Sequence, residues 1–168
     1  MDFFNSITLI VFLPTIGALA LAFFPSRKDE EGVNEAENKN LLLMATLAIT
    51  LITFAVTVFV FLLSGDARFH SDTANMQKAF SVDWIPAFDI HFAMGLDGIS
   101  FPLIMLTTGI SALAVGASWS IKKHLKAYCI LFLLLETGML GVFLALDFFL
   151  FYVFWEVMLI PMYFIIGV

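Results

Sequence analysis

Five apolar runs, each close to 20 residues long, constrain this chain more than any other feature of its sequence. They cover about residues 3–24, 41–63, 98–119, 128–146 and 148–168. A helix of about 20 residues crosses a hydrocarbon core of roughly 30 Å, and a segment in lipid must satisfy its backbone internally. The runs therefore predict an all-α polytopic membrane protein, one membrane domain (1–168) with five transmembrane helices. Of the 168 residues, 61% are hydrophobic. A soluble domain of this size cannot bury so much apolar surface, so the lipid bilayer is the expected partner for most of it.

The remaining composition excludes several classes. The net charge of −6 sits mainly in loops and defines no acidic face. The eight Lys and Arg form no stripe suited to nucleic acid. One cysteine, Cys129, makes neither an intramolecular disulfide nor a metal cluster, and reads as a packing residue. His70, His91 and His124 all lie in loops, so no haem pair sits in the membrane. No phosphate-cradling glycine loop is present. The N-terminal run carries a signal-like pattern in Ala18, Ala20 and Ala22. However, no Lys or Arg precedes it, and it exceeds a signal core of about 7–15 residues, so a retained helix is expected.

Between the second and third runs, Asp66, Arg68, His70, Asp72 and Lys78 exclude a span. Phe88, Ile90, Phe92 and Met94 then alternate with Asp89, His91 and Ala93, the period of a half-buried strand. Trp84-Ile85-Pro86 is placed to form the turn or the partner strand. A short surface β-hairpin between helices two and three is predicted. Asp97 is positioned to cap the third helix, and Asp147 marks a tight turn before the fifth. With the N-terminus outside, the cytoplasmic loops hold Arg27, Lys28, Lys39, Lys122, Lys123 and Lys126, and the outer ones only Arg68 and Lys78. That excess of positive charge orients the N-terminus and hairpin outward. The chain stops inside an apolar run at Gly167-Val168, which suggests a portion of a larger protein or an unusually short form.

Two carboxylates fall deep within spans, Glu136 in the fourth and Glu156 in the fifth. A charge at such depth costs several kcal/mol unless paired or solvated, and desolvation favours a neutral acid that can hold a proton. Each could equally be a neutral acid that only joins helices by a hydrogen bond. The fifth span favours proton handling for Glu156. Tyr152 four residues before it and Tyr163 seven after it share its helix face, giving a polar stripe. Pro161 frees the carbonyl of Val157, although a packing kink accounts for it as well. Asp147 reads more readily as a helix cap than as part of a path. Thr108, Ala112 and Gly116, and Thr137, Gly141 and Ala145, repeat every four residues and suit close helix packing.

The stretch ETGMLGVFLALD (136–147) followed by FFLFYVFWEVMLIPMYFIIG (148–167) closely resembles the antiporter-like chain M of bacterial NADH-quinone oxidoreductase, respiratory complex I. That chain corresponds to mitochondrial NADH dehydrogenase subunit four. MGLDGISFPL (94–103) looks like the start of the family's third helix, and WIPAFDIHF (84–92) like its surface hairpin. The likeness is strong over about 80–168 and a matter of pattern before that. It implies a proton-translocating subunit of the NADH:quinone oxidoreductase translocase, with no redox chemistry in this chain. The complex's NADH, FMN, iron–sulfur clusters and quinone would lie in other subunits. Glu156 falls on the family's key glutamate, which pairs with a lysine on a seventh helix absent here. Asp147 matches a familiar position, and Glu136 matches some bacterial members. The implied partners are other complex I membrane subunits, especially neighbouring antiporter-like ones, in a bacterial plasma (inner) membrane. The alternatives are a subunit of a multisubunit Na⁺/H⁺ antiporter or membrane hydrogenase, or a structural or assembly chain.

Overall fold

The computed structural model describes residues 6–23, 35–63, 76–121 and 124–167. Several positions used above to end spans and count loop charge, among them Pro25 to Lys28, Asp66, Arg68, His70, Asp72, Lys122 and Lys123, lie outside the described residues. Helix α1 is Ser6–Phe23, and α2 is Glu35–Val58, continued by a π-helical turn at Phe59–Leu63. Strands β1 (Gln77–Ile85) and β2 (Ile90–Leu96) precede α3 (Ser100–Ala117), which ends in a 3-10 turn at Ser118–Ser120. Then come α4 (Leu125–Leu144) and α5 (Phe148–Gly167). Among the described residues five helices are long and apolar enough to span a membrane, and the two-stranded sheet sits between the second and third.

Helix α4 is the hub, since it packs against all four other helices. Three side-chain contacts link the helix ends opposite the hairpin. Lys39 Nζ donates to the Trp119 carbonyl at 2.8 Å, and Lys126 Nζ to the Ala22 carbonyl at 3.0 Å. Ser118 Oγ and Tyr128 Oη are 2.7 Å apart. The start of α2, the end of α3 and the start of α4 therefore share one end of the bundle. It follows that α2 and α4 run in the same direction.

The hairpin closes the other end. β1 and β2 are antiparallel, with Phe80 opposite Met94, Val82 opposite Phe92 and Asp83 opposite His91. The sequence alternation placed the strand's start at Phe88, but Phe88 belongs to a 3-10 turn (Pro86–Phe88) and is 77% exposed. Proline has no N–H for a ladder, so the pairing stops before it. Asp89 then takes a left-handed conformation (φ 55°) that Asp tolerates better than most residues. The true partner strand runs back to Gln77. Its Phe80, Val82 and Trp84 alternate with Ala79, Ser81 and Asp83, the same period of two.

Asp97 does cap the third helix. Its Oδ1 accepts from the Ser100 and Ile99 backbone N–H groups at 2.6 and 3.2 Å. These bonds hold its carboxyl below the usual carboxylate range, the bond from Ser100 contributing most. Replacing Asp97 by Ala is expected to destabilise the first turn of α3 by about 1 kcal/mol, as for other N-caps. A thermal-unfolding midpoint unchanged between the two proteins would disprove that assignment.

The interior separates into two apolar clusters. One, nearer the hairpin, gathers Ile7, Ile10, Val11, Met94, Leu96, Leu140, Leu144, Leu150 and Phe154 among others. The second, nearer the basic end, gathers Ala18, Leu21, Leu43, Leu125, Cys129 and Leu133. Along α4 the gap between them, from Leu133 to Leu140, holds Glu136 and Thr137.

Candidate functional site: two carboxyls at one depth

Both intramembrane carboxyls stand at the same height. Glu136 lies eight residues before the end of α4 at Leu144, and Glu156 eight residues after the start of α5 at Phe148. At 1.5 Å per residue each is about 12 Å inside the bundle from the hairpin end. The two helices meet closely because glycines replace side chains at the contact. A Cβ on Gly138 would stand 2.9 Å from Met158 Cβ and 3.0 Å from its Cα, and one on Gly141 would collide with the Phe154 ring. The close approach therefore runs through Gly138 and Gly141. Of the small-residue rows read from sequence, Gly141 takes part, whereas Gly116 on α3 faces open space.

The environments of the two acids are opposite. Leu150, Phe154 and Pro161 form the buried side of α5. Glu156 is exposed on the far side, with Tyr152 at 52% and Tyr163 at 74% exposure. Tyr152, Glu156 and Tyr163 therefore do form one stripe, and it faces away from this five-helix bundle. The Tyr152 hydroxyl hydrogen-bonds the Glu156 carboxyl one turn along. Pro161 lies inside a continuous α5 on the packed side, and, having no N–H, it gives the Val157 carbonyl no helical donor.

Glu136 is 0% exposed, and among the described residues neither carboxyl oxygen has a hydrogen-bond partner. Beside it, Thr137 donates to the Leu133 carbonyl at 3.1 Å, so the 2.8 Å contact with Thr15 Oγ1 of α1 has Thr15 as donor. A further set of polar residues escaped the sequence reading. Thr46, Thr50, Thr53 and Thr57 of α2 are all 0% exposed. Their spacing of four, three and four puts them on one helix face. The spacing is visible in the sequence, and threonines in apolar runs commonly bond their own backbone. They do so here, donating to the carbonyls of Leu42, Leu47, Ile49 and Thr53 at 2.7–3.0 Å.

Asp147 has a structural task at the mouth of this region. Its Oδ1 accepts from Phe149 N–H at 2.8 Å and Leu150 N–H at 3.2 Å, capping α5. Its Oδ2 accepts from His91 N–H of β2 at 3.2 Å. The Leu146 N–H donates to the Ala93 carbonyl at 2.9 Å, and Trp84 meets Phe149 at 5.8 Å between ring centroids. One carboxyl therefore ties the hairpin to the start of α5. The bond from His91, then that from Leu150, holds it below the usual carboxylate range. A depressed folded-state value means that this support is present above the ordinary carboxylate range. It is lost as pH falls through the lowered value. Asp147→Ala is expected to speed amide hydrogen exchange at His91, Phe149 and Leu150, with the amides capped by Asp97 as unchanged internal controls. Equal exchange at all five amides in Asp147→Ala would contradict the tether.

The described residues do not fit a metal or iron–sulfur centre, since no group of three or more His, Cys, Asp or Glu converges. Cys129 is buried and hydrogen-bonds Thr46.

This arrangement defines a class: a polytopic helical membrane protein holding ionisable groups at mid-depth, one walled in and one presented on an open face. No family model matches the chain. It is 38% identical over 164 residues to NADH-quinone oxidoreductase subunit M of Rhodobacter capsulatus, covering 98% of this chain and 30% of that protein. It is 40% identical over 166 residues to NADH-ubiquinone oxidoreductase chain 4 of Prototheca wickerhamii, covering 96% and 31%. It is 33% identical over 167 residues to the chain 4 protein of Marchantia polymorpha, covering 99% and 31%. Over nearly its whole length the chain is thus homologous to subunit M/chain 4 of NADH-quinone oxidoreductases, and it spans about 30% of the length of these relatives.

Proposed function

We propose that this chain is part of a proton-translocating membrane subunit of an NADH:quinone oxidoreductase, and that Glu156 carries the proton. The observation behind this reading is a carboxyl at mid-depth on a helix otherwise built of apolar residues, in a chain homologous to subunit M. A charge there costs several kcal/mol unless paired. Here its hydrogen-bond partner is Tyr152, and the stripe they form faces outward, where a cationic partner from beyond these helices can reach it. A cation at that face would favour the carboxylate, and withdrawal of the cation would favour the neutral acid. Moving one charge relative to the other then takes up and releases a proton. Electron transfer belongs to other subunits, and neighbouring antiporter-like subunits are the partners this reading implies. Lys39 and Lys126 stand at the bundle end opposite the hairpin. By the positive-inside rule that end is cytoplasmic, which puts the N-terminus and hairpin outside the plasma membrane. The test is Glu156→Gln in the full-length subunit, with proton translocation measured against assembly of the complex.

A further inference from the structure

We propose that Glu136 and the threonine face of α2 form a second proton-holding site inside the bundle: the Glu136 carboxyl, unpartnered among the described residues, gives its acid proton to the hydroxyl oxygen of Thr53 or Thr50 when its side chain turns toward α2. This inference rests on the proton-handling reading above and adds an interior station to it.

Helix register brings these groups together. Cys129 of α4 hydrogen-bonds Thr46 of α2. The two helices run in the same direction and pack together. Seven residues make two turns and return to nearly the same face, with a drift of about 20°. Two turns beyond Cys129 is Glu136, and two turns beyond Thr46 is Thr53. Both are fully buried. Thr50 and Thr57 continue the face one turn to either side. Register therefore puts Glu136 level with Thr53, across from the threonine face, with no hydrogen bond yet joining them.

The chemistry of that wall suits an acid in its neutral form. Each threonine hydrogen is already committed to a carbonyl of its own helix, at 3.0 Å for both Thr50 and Thr53. What remains toward α4 is oxygen lone pairs. These accept a hydrogen bond from a carboxylic acid and offer nothing to a carboxylate. An unpaired buried charge is expensive, and such a group normally keeps its proton instead. On the other flank, the Thr15–Thr137 pair has its hydrogens accounted for in the same way. The two apolar clusters above and below shut the site off from both membrane faces. A proton placed here is held without a counter-ion, at the same depth as Glu156 and on the other side of the α4–α5 contact.

The experiment uses the complete complex in proteoliposomes, with infrared difference spectroscopy and proton translocation as separate readouts. The expected result is a protonated-carboxyl band at neutral pH that disappears in Glu136→Gln. The band should move in frequency in the double variant Thr50→Val/Thr53→Val. Because Gln keeps the shape and a donor toward Thr53, assembly should persist in Glu136→Gln, while proton translocation falls severalfold. A band that survives Glu136→Gln, or is unmoved by the double valine variant, overturns the site. Unchanged translocation in Glu136→Gln overturns the station, even where the band is lost. If Glu136→Gln prevents assembly, the double valine variant alone decides, by whether translocation falls as the band moves. Glu156→Gln in parallel separates the two ideas. Lost translocation there, with a Glu136 band that is absent or insensitive, leaves the proposed function standing and removes only this inference.

Discussion

Glu156→Gln in the full-length subunit is expected to lower proton translocation at least about tenfold, since positioned proton-transfer groups commonly contribute about 10²–10⁴-fold. The substitution is chosen for what it keeps. A glutamine occupies the same space on the exposed side of α5, retains an oxygen to accept from Tyr152, and leaves the packed side of Leu150, Phe154 and Pro161 untouched. It removes the titratable proton. Assembly and the stability of α5 should therefore persist while transport fails. Glu156→Asp keeps the acid but retracts it by one methylene, and should fall between the two. Tyr152→Phe removes the hydrogen bond and keeps the acid, so its effect should be smaller than that of Glu156→Gln. Full translocation by an assembled Glu156→Gln complex would sink the proposed role.

The second large effect is structural. Gly138→Val should prevent α4 and α5 from closing and reduce the amount of assembled protein several-fold. The obstacle is backbone, since a Cβ at Gly138 would lie 3.0 Å from both the Cα and the N of Met158. No rotamer change relieves such a clash. Overpacking in a well-packed contact costs about 1–3 kcal/mol when side chains can yield, and here the helices themselves must separate. Even Ala should be felt. Gly116→Ala on α3 is the control with the opposite sign. Nothing lies within 4 Å of a Cβ there, so the gain in helix propensity, about 0.5–1 kcal/mol, meets no opposition. Thermal inactivation of the two variants side by side tests the pair; equal losses would show that the contact geometry is wrong.

Gly116 and Gly138 also show where the sequence stops being legible. The helices announced themselves as apolar runs because lipid demands length and hydropathy over whole segments. The Asp97 and Asp147 caps were readable because capping is local, a matter of two or three residues. Which side of each helix faces protein was not readable. In a soluble helix the polar side marks the outside, whereas here the lipid-facing and protein-facing sides are equally apolar. Packing between membrane helices depends on small residues and close fit instead. Glu136 and Glu156 were told apart in sequence only by the tyrosines near Glu156, and burial was not readable for either. The fold separates them, burying the first and exposing the second. The first strand was legible only at its end, as Trp84-Ile85-Pro86, although Phe80 and Val82 continue the same alternation back along it. The threonine face of α2 was present at its 4-3-4 spacing and carried no charge to draw notice.

The tether at Asp147 gives α5 a mechanical character. Its first turn is fastened to β2 by a carboxyl and a backbone hydrogen bond, so any tilt of α5 against α4 would pivot at that end. Glu156 rides about 12 Å from this pivot and Tyr163 about 22 Å, at 1.5 Å per residue. A swing of about 5° would carry Glu156 sideways by about 1 Å and Tyr163 by about twice that. Proton transfer requires donor and acceptor within about 2.6–3.2 Å of each other. A lever this short converts a small tilt of α5 into the difference between contact and separation at Glu156, and the hairpin bears the strain.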